Sequence, residues 1–245
     1  MIRYHTVKKN LTSAGINPYQ MFGVLPSKIL KPIVQLYYGD VWSRYNDFKI
    51  LFIHIPKSAG SSVGLAIYGR PTQHRPASHF FALDEERFSN AVSCSVIRNP
   101  YDRFCSIFYH YSGAPLANSD EKQVWKMFFS RFSGPNDFAH ALNGSRDIMS
   151  YFMSLVHARP QVDWLKAEGK IIVKHLFIFE RLSLLENFLQ KQLSNPGLCL
   201  PYFNRGIRKA SWEKELDKCA MKIIRGLYAE DFEVWESLSA SFNNF

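Results

Sequence analysis

The sequence predicts an α/β fold: a single domain with a mostly parallel central sheet flanked by helices around a P-loop-like core. Three observations carry this expectation. Ile50-Leu-Phe-Ile-His-Ile-Pro-Lys-Ser-Ala-Gly-Ser-Ser62 reads as an apolar strand, a small-residue loop with one lysine, and the opening of a helix. Ala91 to Phe108 repeats that order, with a strand to Ile97, a sharp polar break and a helix. The chain has 245 residues, 47% hydrophobic and 21% charged, enough to bury one sizeable core.

In chain order, residues 1–48 form an N-terminal arm with no readable role, holding a short apolar helix near Pro26 to Tyr38; residues 49–245 form the main domain. Ile50 to Ile55 is β-branched and aromatic, as a buried parallel strand is, and Pro56 ends its ladder for want of an N–H. Ser58, Ala59, Gly60, Ser61 and Ser62 are small enough to bring backbone N–H groups against an anion. The next helix, to Gly69, aims its positive N-terminus at the same place. Lys57 adds a mobile point charge. The proline-rich stretch Arg70 to His79 is too long for a tight turn and is expected to cross the mouth of the site as a loop.

In the second unit, Asn99 is a good N-cap and Pro100 suits the first helical position. Arg98 is left at the carboxyl end of the strand, where ligands sit in open α/β sheets, and its guanidinium can grip a phosphate with two parallel bonds. Ser106 shares a helix side with Asn99 and Arg103 and offers a hydroxyl. From Asp120 to Gly169 the pattern is mostly helical, and its aromatics, Trp125, Phe128, Phe129, Phe132, Tyr151 and Phe152, read more readily as packing than as an acceptor groove. Ile171 to Phe179 reads as a strand, Leu182 to Leu193 as a helix, and Ser211 to Tyr228 as a helix with one apolar face.

The nucleotide-kinase pattern G-x-x-x-x-G-K-[ST], with its lysine after the second glycine and just before the magnesium-binding hydroxyl, is absent; here the lysine comes before the glycine. The two motifs, His54-Ile-Pro-Lys-Ser-Ala-Gly-Ser-Ser62 and Val96-Ile-Arg-Asn-Pro-Tyr-Asp-Arg-Phe-Cys-Ser106, closely resemble the cofactor motifs of sulfotransferases that use 3′-phosphoadenosine 5′-phosphosulfate (PAPS). The nearest branch resembles uronyl 2-O-sulfotransferases and bacterial carbohydrate sulfotransferases. The likeness runs from about Lys49 to about Phe232, with His157-Ala-Arg-Pro-Gln161, Ile178-Phe-Glu-Arg-Leu182, Pro201-Tyr-Phe-Asn-Arg205 and Tyr228-Ala-Glu-Asp-Phe232 as later landmarks.

The resemblance implies that Lys57, Ser58, Ala59, Gly60, Ser61 and Ser62 bind the 5′-phosphosulfate and that Arg98 and Ser106 bind the 3′-phosphate. It implies PAPS as donor, 3′,5′-adenosine bisphosphate as product, and a hydroxylated acceptor, a saccharide or glycolipid. By similarity, the late basic segment Asn204-Arg-Gly-Ile-Arg-Lys209 supplies Arg205, Arg208 and Lys209 as clamps, with Arg208 and Lys209 preferred. The acceptor proton needs a base, and histidine suits neutral pH. His74, in a setting resembling that of relatives, is preferred to His79; His54 reads as packed or hydrogen-bonded in the sheet, and His157 reads equally as an acceptor contact or as a cap on a nearby carbonyl.

Two rival readings are a P-loop-type nucleotide kinase and a non-catalytic nucleotide-binding scaffold. The formal charge of +9 suits an anionic cofactor. Nucleic acid as the partner is disfavoured, because the basic residues are scattered and no nucleic-acid-binding signature occurs. Cys94, Cys105, Cys199 and Cys219 form no metal pattern and read as reduced thiols; no metal is expected. No signal-like or membrane-spanning apolar run occurs, so a cytoplasmic protein is expected.

Overall fold

In the computed structural model, which describes residues 23–112, 119–201 and 210–243, the predicted parallel sheet is present. Strand β1 (Ile50–Ile53) pairs in parallel with β2 (Val92–Ile97), Ile50 opposite Val92 and Ile53 opposite Ser95. Strand β5 (His175–Ile178) joins the far side of β2, Cys94 opposite His175 and Ile97 opposite Ile178. All four β1 residues are buried, as a strand covered on both faces requires. Tyr68 staples the strand from the following helix: its hydroxyl accepts the Phe52 N–H at 2.8 Å and donates to the Ile50 carbonyl at 2.9 Å.

Helix α1 (Ser27–Tyr38) precedes β1; α2 (Gly60–Tyr68) follows it. Helices α3 (Ala77–Leu83) and α4 (Glu85–Asn90) then lead to β2, which feeds α5 (Pro100–Ser112). Helices α6 (Ser119–Met127), α7 (Pro135–Gly144), α8 (Arg146–Ser154) and the single turn α9 (Val162–Leu165) come next. A short hairpin, β3 (Lys166–Ala167) with β4 (Lys170–Ile171), precedes β5. The chain continues through α10 (Leu182–Gln192), α11 (Trp212–Glu215), α12 (Lys218–Leu227) and α13 (Ala229–Asn243).

Two cores result. One surrounds the sheet; the other is wholly helical and aromatic, joining α5 to residues 128–158 and to α12 and α13. Phe128, Phe129 and Phe152 are buried in the second core, so these aromatics serve packing, while Trp125 is exposed.

In the described part of the arm, Leu30, Val34, Trp42 and Tyr45 are buried in the sheet's own core. Three expectations change. The stretch from Arg70 to His79 is not all loop. Pro76 ends it in an extended conformation and α3 begins at Ala77, which places His79 inside a helix. The strand read from Ile171 to Phe179 is two strands with different partners, β4 and β5. The last amphipathic helix is broken at Asp217, whose carboxylate accepts the Ala220 N–H at 2.7 Å and caps α12 afresh. Among the described residues no helix is long and apolar enough to cross a membrane.

Candidate functional site

The loop between β1 and α2 is held in an unusual backbone conformation. Lys57 and Ala59 both lie in the left-handed region, with φ of 69° and 60°, although neither is glycine. Such residues cost roughly 1–3 kcal/mol each and persist only where the surroundings impose them. Here the imposing groups are visible. Arg103, fully buried on α5, donates from Nε to the Pro56 carbonyl at 3.1 Å and from Nη2 to the His157 and Arg159 carbonyls, both at 2.8 Å. Arg98 donates from Nη1 to the Lys57 carbonyl at 3.0 Å.

Two arginines therefore hold successive carbonyls of the loop. Across a planar trans peptide the next N–H points the opposite way, so the amides of Lys57 and Ser58 face away from both arginines. Helix α2 begins at Gly60 without a side-chain cap. Its first amides are left to whatever lies in front of the loop.

Gly60 has a more specific reason than closeness to an anion. A Cβ there would stand 1.7 Å from His54 Cδ2, because the imidazole packs on the glycine's α-carbon. The ring is fixed at Nδ1 by the Thr72 hydroxyl at 2.9 Å. Ser58 is also committed: it is buried and donates to Gln161 Oε1 at 3.2 Å. Ser61 is half-buried and Ser62 buried in the first turn of α2; Ser106 is half-buried on α5.

Gln161 joins the two units. Its Oε1 accepts the Arg98 N–H at 2.9 Å while its Nε2 donates to the Arg98 carbonyl at 2.8 Å. Asp231 of α13 in turn accepts the Gln161 and Val162 amides, at 2.8 and 3.0 Å. Burial raises the Asp231 carboxyl to about 6, against the opposing pull of Arg103. The Tyr228 hydroxyl donates to the Ala158 carbonyl at 2.8 Å. Glu180 accepts the Asn99 N–H at 2.9 Å and the Trp235 indole at 3.1 Å. These late landmarks brace the site from behind, a role their sequence did not reveal.

The side chain of Arg98 is more engaged than its position suggested. Its Nε donates to Asp102 at 2.6 Å and its guanidinium lies over the Phe179 ring at 4.2 Å. A two-bond grip on a phosphate through Nε would displace the Asp102 carboxylate.

Lys57 is largely withdrawn from solvent, and burial, helped by Arg98, lowers its ammonium to about 8. Four histidines feel its charge. Burial first and neighbouring charges second push His54 to about 3 and both His74 and His110 to about 4, and hold His157 well below the ordinary range. Their rings form a file, with centroids 4.1 Å apart for His54 and His74, 5.9 Å for His74 and His157, and 4.4 Å for His157 and His110. His74 thus stands with Lys57 in this group, its Nδ1 3.4 Å from the His54 carbonyl.

His79 does not join the file. It is buried in α3 against Tyr38, at 4.7 Å between rings, and the charges that act on it are Arg159 and Arg75. The fold thus gathers Lys57, Ser58, Arg98 and His74 about one loop and sends His79 into the core. Arg205, Arg208 and Lys209 lie outside the described residues. Sequence reading missed Arg103, Gln161 and the grouping of His110 with Glu121 and His157, whose positions along the chain follow no ligand spacing.

Comparison with known proteins matches residues 44–236 to the family described as the sulfotransferase family. No curated protein and no solved structure matches the chain.

Proposed function

Because the chain belongs to the sulfotransferase family, we propose that it moves the sulfuryl group of PAPS to an acceptor hydroxyl on a carbohydrate, releasing 3′,5′-adenosine bisphosphate. The observation that carries this reading is the strained loop at Lys57 to Ala59, whose carbonyls are held back by Arg98 and Arg103 while its amides face forward. Amides aimed one way, a helix N-terminus and a lysine suit a phosphosulfate. The donor supplies the activated sulfuryl group; the protein supplies position and charge.

Lys57 and the amides of Ser58 to Ser62 stabilise charge as it grows on the phosphate oxygen being released, the main electrostatic task of such a transfer. Arg98, leaving Asp102, and Ser106 hold the 3′-phosphate. His74 takes the acceptor proton: at neutral pH its imidazole is unprotonated and ready to accept. Arg208 and Lys209 close on the donor. The catalytic unit runs over residues 49–245, with the segment from Ser27 to Tyr45 supporting it, and the protein works in the cytoplasm.

Thermal unfolding with 3′,5′-adenosine bisphosphate tests the donor assignment, since a ligand that binds only the folded chain raises the midpoint. A rise is expected, absent with ATP and magnesium, and Arg98→Ala should reduce the bisphosphate shift far more than that of adenosine 5′-phosphosulfate. Stabilisation by ATP and magnesium alone would replace this reading with a kinase. No stabilisation by either would overturn the donor assignment, whereas stabilisation by the bisphosphate without PAPS turnover on any hydroxylated acceptor would leave the scaffold reading in its place.

A further inference from the structure

We infer that His110, Glu121 and His157 form a binding site for one divalent transition-metal ion of the zinc class. Each offers one donor atom, and all three atoms lie within 4.8 Å of one another. They come from three segments: His110 from the last turn of α5, Glu121 from α6, and His157 from the turn before α9. Metal–ligand bonds of about 2.1 Å in a tetrahedral shell put neighbouring donors roughly 3.4 Å apart. His110 Nε2 and Glu121 Oε1 already stand at 3.1 Å, and the third donor needs only a small movement.

The surroundings fit a ligand set better than an isolated ion pair. A His–Glu pair alone gives no reason for a second imidazole to face it, with ring centroids 4.4 Å apart. His157 is oriented at both ends: the Tyr111 hydroxyl lies 2.6 Å from its Nδ1, and Arg103 holds its carbonyl at 2.8 Å. A hydrogen bond to a ring nitrogen is the outer-shell contact that fixes a ligating imidazole.

Two imidazoles and one carboxylate favour zinc-class ions over magnesium or calcium, which take mainly oxygen. Lys57 acts on both histidines and opposes a cation there; the carboxylate of Glu121 offsets it. Three protein ligands leave a position for a further one, and the site adjoins Lys57. A hydroxyl bound there would be polarised. The binding itself does not depend on the donor being PAPS.

The test is metal retention by the full chain. Purified protein is loaded with zinc chloride, freed of excess and assayed for metal, alongside Glu121→Gln and His110→Asn. About one equivalent is expected in the parent chain, and affinity at least about tenfold weaker in each variant. Cobalt loading gives a second readout, because Cys199 and Cys219 are exposed thiols that could hold metal instead. Cobalt bands without thiolate charge transfer support the nitrogen and oxygen set. Absence of retained metal, equal retention by Glu121→Gln, or a thiolate band overturns the proposal. Matching circular dichroism of the metal-free proteins ensures that lost binding is not lost folding.

Discussion

The two strand-loop-helix units look alike in sequence but are built by opposite means. The second caps itself: Asn99 Oδ1 accepts the Tyr101 and Asp102 amides, at 2.9 and 3.3 Å, within three residues of its own position. The first has no side-chain cap, two left-handed residues and a glycine pressed on a histidine ring. Its shape is imposed by Arg98, Arg103 and Gln161, residues 41 to 103 positions away. A loop that satisfied its own amides would have nothing left to offer an anion. The division of labour follows: the self-capped unit lends Arg98 and Arg103 to hold the first loop, and the externally held loop keeps its backbone amides for an anion.

The largest effect that would sharpen this contrast is on catalysis. Lys57→Ala should lower turnover roughly 10²- to 10³-fold while leaving affinity for 3′,5′-adenosine bisphosphate nearly unchanged. Equal losses in both would move Lys57 from the transition state to ground-state binding. The same residue sets a pH limit. His74 must be unprotonated and Lys57 protonated, so kcat/KM should rise as pH passes about 4 and fall as it passes about 8. A profile without the alkaline fall would remove the Lys57 charge from the reaction.

Next in size is Gly60→Ala. The added methyl has no room beside His54, and overpacking of this kind costs about 3 kcal/mol, readable in urea unfolding. Combining it with His54→Ala should recover much of the loss; simple additivity of the two would mean the ring contact is not the cause.

Gln161→Leu comes third. It leaves the Arg98 amide and carbonyl without their partner in a buried setting, for about 2 kcal/mol of stability. Because Ser58 is released too, affinity for the bisphosphate should fall with it. Unchanged affinity would show that the first loop does not need its external brace.

The smallest effect belongs to the self-capped unit: Asn99→Ala should cost about 1 kcal/mol in thermal or urea unfolding. A loss as large as that of Gly60→Ala would erase the distinction between the units.

What the sequence disclosed follows the same division. The strands, the Asn99 cap and the start of α5 at Pro100 were legible because neighbouring residues determine them. Hidden were the features set by distant partners. The left-handed backbone at Lys57 and Ala59 reflects Arg98 and Arg103, and no local preference of lysine or alanine announces it. The burial of His79 was missed because the prolines before it read as loop, while Pro76 in fact opens a helix. The split between β4 and β5 was equally hidden, since Ile171 to Val173 and Leu176 to Phe179 read as one apolar run interrupted only by Lys174 and His175, and the two pieces pair with different strands.

Asp231 gives the architecture a direction in time. Through Gln161 it connects the C-terminal helix to both units, although Lys57 and Arg98 stand in the first half of the chain. At synthesis rates of about 5–20 residues per second, seconds pass between the emergence of Lys57 and that of Asp231. Over that interval the nascent chain carries every residue of the first loop, yet the carboxylate that secures Gln161 behind it has not been made. The brace behind the first loop is therefore completed only after the loop itself has been made, once Asp231 is present to accept the Gln161 amide.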